Sequence, residues 1–167
     1  MVIFIFIPTA RRALSTHPYY AWIPASHMEA FHYLREKTPP DAAVLHPYED
    51  DPIYSDPSRK EVAWIFKDHY YYMSGLGERA AVSEGSLKVV RIKAPLTPEQ
   101  VDQRRADIKV FYQTKDPGLA EEILRRYSVD YVWVDKKAPL SFEVASVMTG
   151  VFENGDVVIY KKMRVGA

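Results

Sequence analysis

The segment DPGLAEEILRRYSVDYVWV, residues 116–134, decides the fold class of this chain. Asp116 and Pro117 are typical of the first positions of a helix. The apolar residues that follow recur at helical spacing and form one stripe: Leu119, Ala120, Ile123, Leu124 and Tyr127. A short turn then leads to Tyr131–Val134, four apolar residues in a row. An uninterrupted run of this kind is typical of a central strand that is covered on both faces. The segment therefore predicts a helix followed by a buried strand.

Helices and strands alternate in the rest of the chain as well. Three predicted helices begin at capping boxes, in which Ser or Thr is followed three residues later by Glu or Gln: Ser26 with Glu29, Ser58 with Glu61, and Thr97 with Gln100. We expect the second of these helices to end at Gly75 and a further short helix at 141–149. Predicted strands occupy residues 42–46, 79–83 and 87–93. Asn154-Gly155, between residues 151–153 and 156–162, is a strong hairpin signal.

This order predicts an α/β fold with a mixed, partly parallel sheet that is flanked by helices and ends in a β-hairpin. The 167 residues suffice for a single domain, which we expect at 27–165, after a segment at 1–26. With 22 basic and 22 acidic residues, the chain lacks the strongly basic face that nucleic-acid binding requires. The absence of cysteine excludes disulfides, a thiolate nucleophile and a cysteine zinc site.

The chain begins with a short apolar run, Val2–Ile7 (VIFIFI). A membrane-spanning helix needs about 20 apolar residues, and no basic region precedes the run as it would in a signal peptide. Two interpretations remain, an edge strand of the domain or the last turns of a membrane helix that begins upstream. Arg11 and Arg12 would bias the end of such a helix toward the cytoplasm. The aromatic residues Tyr19, Tyr20 and Trp22 suit a membrane interface or a docking surface, or pack on the domain.

Two arginines lie on the apolar face of the predicted helix 97–114. At 100° per residue, Arg104 and Arg105 share a face with Val101, Ile108, Phe111 and Tyr112. Arginine stays charged in proteins, so at such a position it needs a carboxylate, a phosphate or a group of carbonyls. One interpretation is anion capture by forked hydrogen bonds. The other is a structural role, with the side chains at the rim or paired to acids such as Asp107.

The other candidates for chemistry are weaker. Arg79 opens a strand after a glycine-containing turn. Ligands often bind at such a place on a sheet edge, but a solvated arginine is also common there. No glycine-rich phosphate loop and no Ser nucleophile elbow is present. His46 with Glu49, Asp50 and Asp51 has the ligand types of a divalent cation site but also describes a plain loop. We expect neither a metal nor a cofactor.

Four segments together form a recognisable pattern: EAFHYLREKTPPDAAVLHP (29–47), MSGLGERAAVSEG (73–85), RRADIKVFYQTKDPGLAEEILRRYSVDYVWVDKK (104–137) and VFENGDVVIYKK (151–162). The pattern resembles the C-terminal soluble domain of polytopic membrane glycosyltransferases of the GT-C type. The resemblance implies that the apolar start ends a membrane helix and that the domain lies on the extracytoplasmic side, next to the upstream transmembrane portion of the same protein. It also implies a lipid-phosphate-linked sugar or a glycan as ligand.

The resemblance places the catalytic acid in an early extracytoplasmic loop that is not part of this chain, so the chain would be an accessory domain without catalytic residues. Its substrate-binding candidates are the residues that match the pattern: Arg79, Arg104, Arg105, Asp107 and Tyr112. Arg79 matches a Gly-Arg turn that is tighter in the family, because Leu76-Gly77-Glu78 intervenes here. Two alternatives stay open, a free-standing α/β module that binds a nucleotide or another small anion, and a structural protein-interaction domain.

Overall fold

The computed structural model describes residues 24–47, 72–83 and 96–163, in which four α-helices accompany one five-stranded sheet. The helices are α1 (Ala25–Lys37), α2 (Tyr72–Gly75), α3 (Pro98–Gln113) and α4 (Pro117–Arg126), with a 3-10 turn at Val144–Ser146. The strands are β1 (Ala43–Leu45), β2 (Ala80–Ala81), β3 (Tyr131–Asp135), β4 (Met148–Glu153) and β5 (Val157–Lys162). The apolar run at 2–7, the acidic loop at 49–51, the helix start at Ser58 and the strand at 87–93 lie outside the described residues.

The sheet is mixed and partly parallel, as predicted. Its strand order is β2-β1-β3-β5-β4. Strand β1 pairs in parallel with both β2 and β3, whereas β5 pairs antiparallel with β3 and β4. The carboxyl ends of β1, β2 and β3 therefore meet at one edge of the sheet, which we call the carboxyl edge.

Strand β3 is the middle of the sheet, and all five of its residues are buried. Because side chains alternate along a strand, Tyr131 and Trp133 pack with α1 on one face, and Val132 and Val134 pack with α3 and α4 on the other. The domain thus has three layers, with helices on both faces of the sheet. The prediction of a strand covered on both sides is confirmed.

Two of the helix starts are confirmed and one is wrong. Thr97 and Gln100 form the predicted capping box of α3, and the Asp116 carboxylate accepts from the backbone N–H of Gly118 at the start of α4. Helix α1 instead begins after Pro24, without a side-chain cap. The hydroxyl of Ser26 is directed to Asp156 and the carboxylate of Glu29 accepts from Asn154, because the hairpin packs against this turn.

The C-terminal hairpin is present, but its turn is shifted by one residue. The N–H of Asn154 donates to the carbonyl of Val157, so Gly155 and Asp156 are the two loop residues. Neither of them has a φ in the left-handed region, and the Asn154 side chain shapes the turn by accepting from the N–H groups of Asp156 and Val157. The predicted helix at 141–149 is wrong: only a 3-10 turn forms, and β4 already begins at Met148.

Candidate functional site

Arg79 holds the end of helix α1. Its guanidinium donates to the carbonyl oxygens of Arg35 (2.6 Å), Thr38 (2.7 Å) and Glu78 (2.7 Å), and its Nε donates to the hydroxyl of Thr38 at 2.8 Å. The last carbonyls of a helix lack partners within the helix, so a buried arginine can serve them. Arg79 is 5% exposed. All three guanidinium nitrogens are therefore used within the protein.

The turn before Arg79 explains why the sequence has a glycine there. A Cβ on Gly77 would lie 2.8 Å from the carbonyl oxygen of Met73, so a side chain does not fit. The next residue, Glu78, has a φ of 51°, in the left-handed region. This tight turn brings the N–H of Arg79 to the Met73 carbonyl and aims its side chain at α1.

The buried face of α3 is the one that the sequence predicts. Its buried residues include Val101, Arg105, Ile108, Phe111 and Tyr112. Arg105 is 9% exposed, and Arg104, one residue earlier, is half-buried. Both arginines thus lie at the protein side of the helix, not on its solvated face.

Arg104 has a different environment from Arg79. Its Nη1 donates to the carbonyl oxygen of Val82 at 3.1 Å, just past the end of β2, and its Cζ lies 5.5 Å from the ring centroid of Tyr127. Among the described residues no carboxylate pairs with it. Arg104 is therefore a half-buried cation at the carboxyl edge that rests on an aromatic ring, an arrangement that favours the charge by a cation–π interaction.

Asp107 joins α3 to α4. Its carboxylate accepts from Gln103 (2.8 Å), Arg126 (2.7 Å) and the hydroxyl of Tyr127 (2.6 Å). Arg126 also pairs with Glu122 one helical turn earlier, at 2.7 Å. Three donors converge on one carboxylate that is 7% exposed, so its hydrogen-bonding capacity is largely used inside the protein.

The same contacts set the pKa values of this pair. Burial alone would raise the pKa of Asp107, but the hydrogen bonds from Tyr127, Gln103 and Arg126 outweigh burial and lower it. Burial and the bond to Asp107 raise the pKa of Tyr127 to about 12. Tyr127 is therefore a neutral donor and Asp107 an ionised acceptor over the physiological pH range.

Tyr112 lies deeper, against the sheet. Its hydroxyl donates to the carbonyl of Trp133, in the middle of β3, at 2.6 Å and lies 3.3 Å from that of Leu45, at the end of β1. The ring packs edge-on against Phe111. Tyr112 thus attaches α3 to the sheet at β3 and β1.

The five residues singled out from the sequence fall into two places. Arg104 and Asp107 both contact Tyr127, and Arg105 and Tyr112 lie on the same helix, whereas Arg79 serves α1. Sequence reasoning missed Tyr127 as a polar partner, because it counted this residue in the apolar stripe of α4. Tyr127 ends that stripe and directly follows Arg125-Arg126, and this position among charged residues was the available signal of a polar role.

A second polar cluster lies where α1 meets the hairpin, and the sequence did not indicate it. It contains Ser26, His27, Asp135 and Asp156, with His27 Nε2 3.8 Å from Asp135 Oδ2. No three His, Asp or Glu side chains within the three described ranges are grouped as metal ligands would be.

The helices described for this chain are all too short or too polar to span a membrane.

Comparisons with known proteins support the fold. No protein-family model matches the sequence, and no match is found among curated proteins. The structure is similar to the crystal structure of the C-terminal globular domain of an oligosaccharyltransferase from Archaeoglobus fulgidus, with a TM-score of 0.53. The similarity covers 84% of this chain and 99% of that domain at 11% sequence identity. This chain therefore has a fold that resembles the globular domain of an oligosaccharyltransferase.

Proposed function

We propose that this chain is the accessory domain of a membrane-embedded glycosyltransferase of the GT-C type. In this proposal it lies on the extracytoplasmic face, follows the transmembrane portion of the same protein, and helps to position a lipid-phosphate-linked sugar or the acceptor glycan. The observation that carries the proposal is the similarity to an oligosaccharyltransferase domain, which extends over nearly the whole of that domain. Glycosyl transfer itself would use residues outside this chain.

Arg104 is the residue that we propose contacts phosphate. It lies at the carboxyl edge, where ligands bind in open α/β sheets. No carboxylate within the described ranges neutralises it, whereas a phosphate oxygen would accept charge-assisted hydrogen bonds from it. The ring of Tyr127, whose centroid is 5.5 Å from the guanidinium carbon, favours the charged side chain at this position.

The other four candidates have supporting roles in this proposal. Asp107 fixes Tyr127 beneath Arg104, and Tyr112 anchors the helix that carries it. Arg105 adds positive charge from a buried position next to Arg104. Arg79 stabilises the layer on the opposite face of the sheet and contributes through folding.

The test is Arg104→Ala in the full-length membrane protein that carries this domain. A lost charge-assisted contact to phosphate lowers sugar transfer by about 10- to 100-fold, while the urea midpoint changes little. Arg104→Lys keeps the charge but not the fork and gives an intermediate rate. Arg125→Ala, at an exposed arginine on the last turn of α4, is the matched control and leaves transfer unchanged.

Two outcomes count against the proposal. If Arg104→Ala reduces transfer only in proportion to the loss of folded protein, Arg104 is a structural strut. If the 167-residue chain binds a nucleotide in solution and Arg104→Ala abolishes that binding without affecting glycosyl transfer, the free-standing anion-binding module is the better description. A titration of the chain with ATP, followed by NMR, separates this second case.

A further inference from the structure

The first turn of α1 is attached to the hairpin turn by side chains. The hydroxyl of Ser26 donates a short hydrogen bond to Oδ2 of Asp156. The side-chain amide of Asn154 donates to the carbonyl of Ser26 at 2.7 Å and to the carboxylate of Glu29 at 3.1 Å. We call this contact between the start of α1 and residues 154–156 the α1–hairpin joint.

His27 lies inside the α1–hairpin joint. Its side chain is 15% exposed, and its ring packs at a tilt against Trp133, with centroids 5.7 Å apart. Nε2 is 3.8 Å from Asp135 Oδ2, too far for a direct hydrogen bond. Nδ1 is buried and has no hydrogen-bond partner among the described residues. The imidazole is therefore packed largely as an apolar ring, and no described residue is placed to accept a hydrogen bond from Nδ1 in its charged form.

Charged groups reach His27 from each element that packs on it. Asp135 approaches from the end of β3, Asp156 from the hairpin turn, and Lys137 from the chain that follows β3. Glu29 lies on the same helix and bonds to Asn154. The two aspartates favour a proton on His27 and Lys137 opposes it, but desolvation by burial is the largest effect, and it lowers the pKa of His27 below 6.5.

We propose that the α1–hairpin joint is an acid-sensitive latch, in which protonation of His27 releases the first turn of α1 from the hairpin while the three-layer core stays folded. An imidazolium ion needs water or two acceptors, and the closed joint supplies neither to Nδ1. Opening the first turn hydrates the ring without exposing β3, because Phe31 and Leu34 further along α1 hold the helix on the sheet.

The direction of the pH effect follows from proton linkage. Above the ordinary pKa of 6.5, His27 is neutral in both the closed and the open joint, so closure is not opposed. As the pH falls below 6.5, the open joint binds a proton before the closed joint does, and opening becomes more favourable. Acid therefore weakens the latch, because desolvation of the closed ring outweighs the attraction of Asp135 and Asp156 for the new charge.

The latch controls how much of α1 is attached to the domain. Pro24 precedes the helix, so release of the first turn leaves α1 held on the sheet by later residues such as Phe31 and Leu34. The acid sensitivity does not depend on the proposed function, because it rests only on contacts within the domain.

The test is hydrogen exchange followed by NMR on the 167-residue chain, between about pH 7.5 and about pH 5. Protection factors of the Met28 and Val157 amides, corrected for intrinsic rates, fall by up to about tenfold for each pH unit from 6.5 down to the lower pKa of His27 in the closed joint, while those in β3 stay constant. His27→Phe keeps a ring against Trp133 and abolishes this dependence. His32→Gln changes an exposed histidine on the same helix and leaves it intact.

If His27→Phe folds poorly, a titration of the His27 ring followed by NMR in the wild-type chain tests the latch directly. A ring that titrates clearly below 6.5 together with selective loss of protection at the joint supports the latch. A ring that titrates at or above 6.5 overturns it, since the closed joint would then stabilise the cation. Uniform loss of protection across β3 also overturns it, because acid would then unfold the whole domain.

Discussion

The hydroxyl of Tyr127 donates a 2.6 Å hydrogen bond to Asp107, and the ring of the same residue lies beneath the guanidinium of Arg104. One side chain thus has two separable contacts. Its hydroxyl connects the end of α4 to the middle of α3, and its ring faces the cation that we propose binds phosphate. Substitutions at Tyr127 can therefore distinguish what holds the helices together from what positions Arg104.

Tyr127→Phe removes the hydroxyl and keeps the ring. Asp107 loses one of three donors in a buried place, so we expect the free energy of unfolding to fall by about 1–2 kcal/mol. Urea denaturation measures this change. Sugar transfer by the full-length protein, which we propose depends on Arg104, should survive in Tyr127→Phe and weaken in Tyr127→Leu, which removes both contacts. Equal transfer rates in the two variants would show that the ring does not position Arg104.

The Tyr127–Asp107 bond also gives an alkaline signature. The pKa of Tyr127 is raised from 10.0 to about 12 in the folded chain, so the folded state holds this proton longer than the unfolded state. The stability that the Tyr127 proton contributes is fully present below pH 10 and is lost as the pH rises from 10 to about 12. Stability measured against pH should therefore fall more steeply in the wild-type protein than in Tyr127→Phe across this window. Tyr131 and Tyr160, whose pKa values burial also raises, contribute alike to both proteins.

Local signals in the sequence predicted much of this fold. The starts of α3 and α4 are read from residues that lie within three positions of each other, at Thr97 with Gln100 and at Asp116 with Pro117. The apolar run of β3 identifies a central strand because burial on both faces removes the usual alternation. Such signals depend only on residues that are close in the sequence, so they are present before any tertiary contact forms.

The polar contacts could not be predicted in the same way. Arg79 bonds to residues 41 and 44 positions earlier, and Ser26 bonds to Asp156, 130 positions later. Ser26 could either cap α1 or bond to a distant residue. The sequence pattern indicates the cap, whereas in the structure the hydroxyl bonds to Asp156. Likewise, helical periodicity placed Arg104 and Arg105 on the buried face, but which acceptor each arginine finds depends on the packing of distant elements.

Arg79→Lys tests whether the end of α1 depends on one guanidinium. Lysine cannot reproduce donors from three nitrogens in a fixed plane, so at least two carbonyls at the end of α1 lose their partner in a buried place. We expect a loss of about 2–4 kcal/mol in the free energy of unfolding, measured with urea. Arg35→Ala, which removes an exposed side chain paired with Glu36 at 3.7 Å, should cost less than about 1 kcal/mol. Comparable losses in both variants would contradict the assigned role of Arg79.

Ser128 offers the opposite case, a position where the natural residue is strained. Its φ of 49° is left-handed, and two bonds that end α4, from Ser128 N–H to Arg125 and from Val129 N–H to Leu124, require this conformation. Glycine adopts it without a Cβ penalty, so Ser128→Gly should raise the stability by about 0.5–1 kcal/mol and the Tm by about 1–4 °C. Ser128→Ala keeps the Cβ and should give no gain. If alanine stabilises as much as glycine, the left-handed strain at the end of α4 is not what limits this helix.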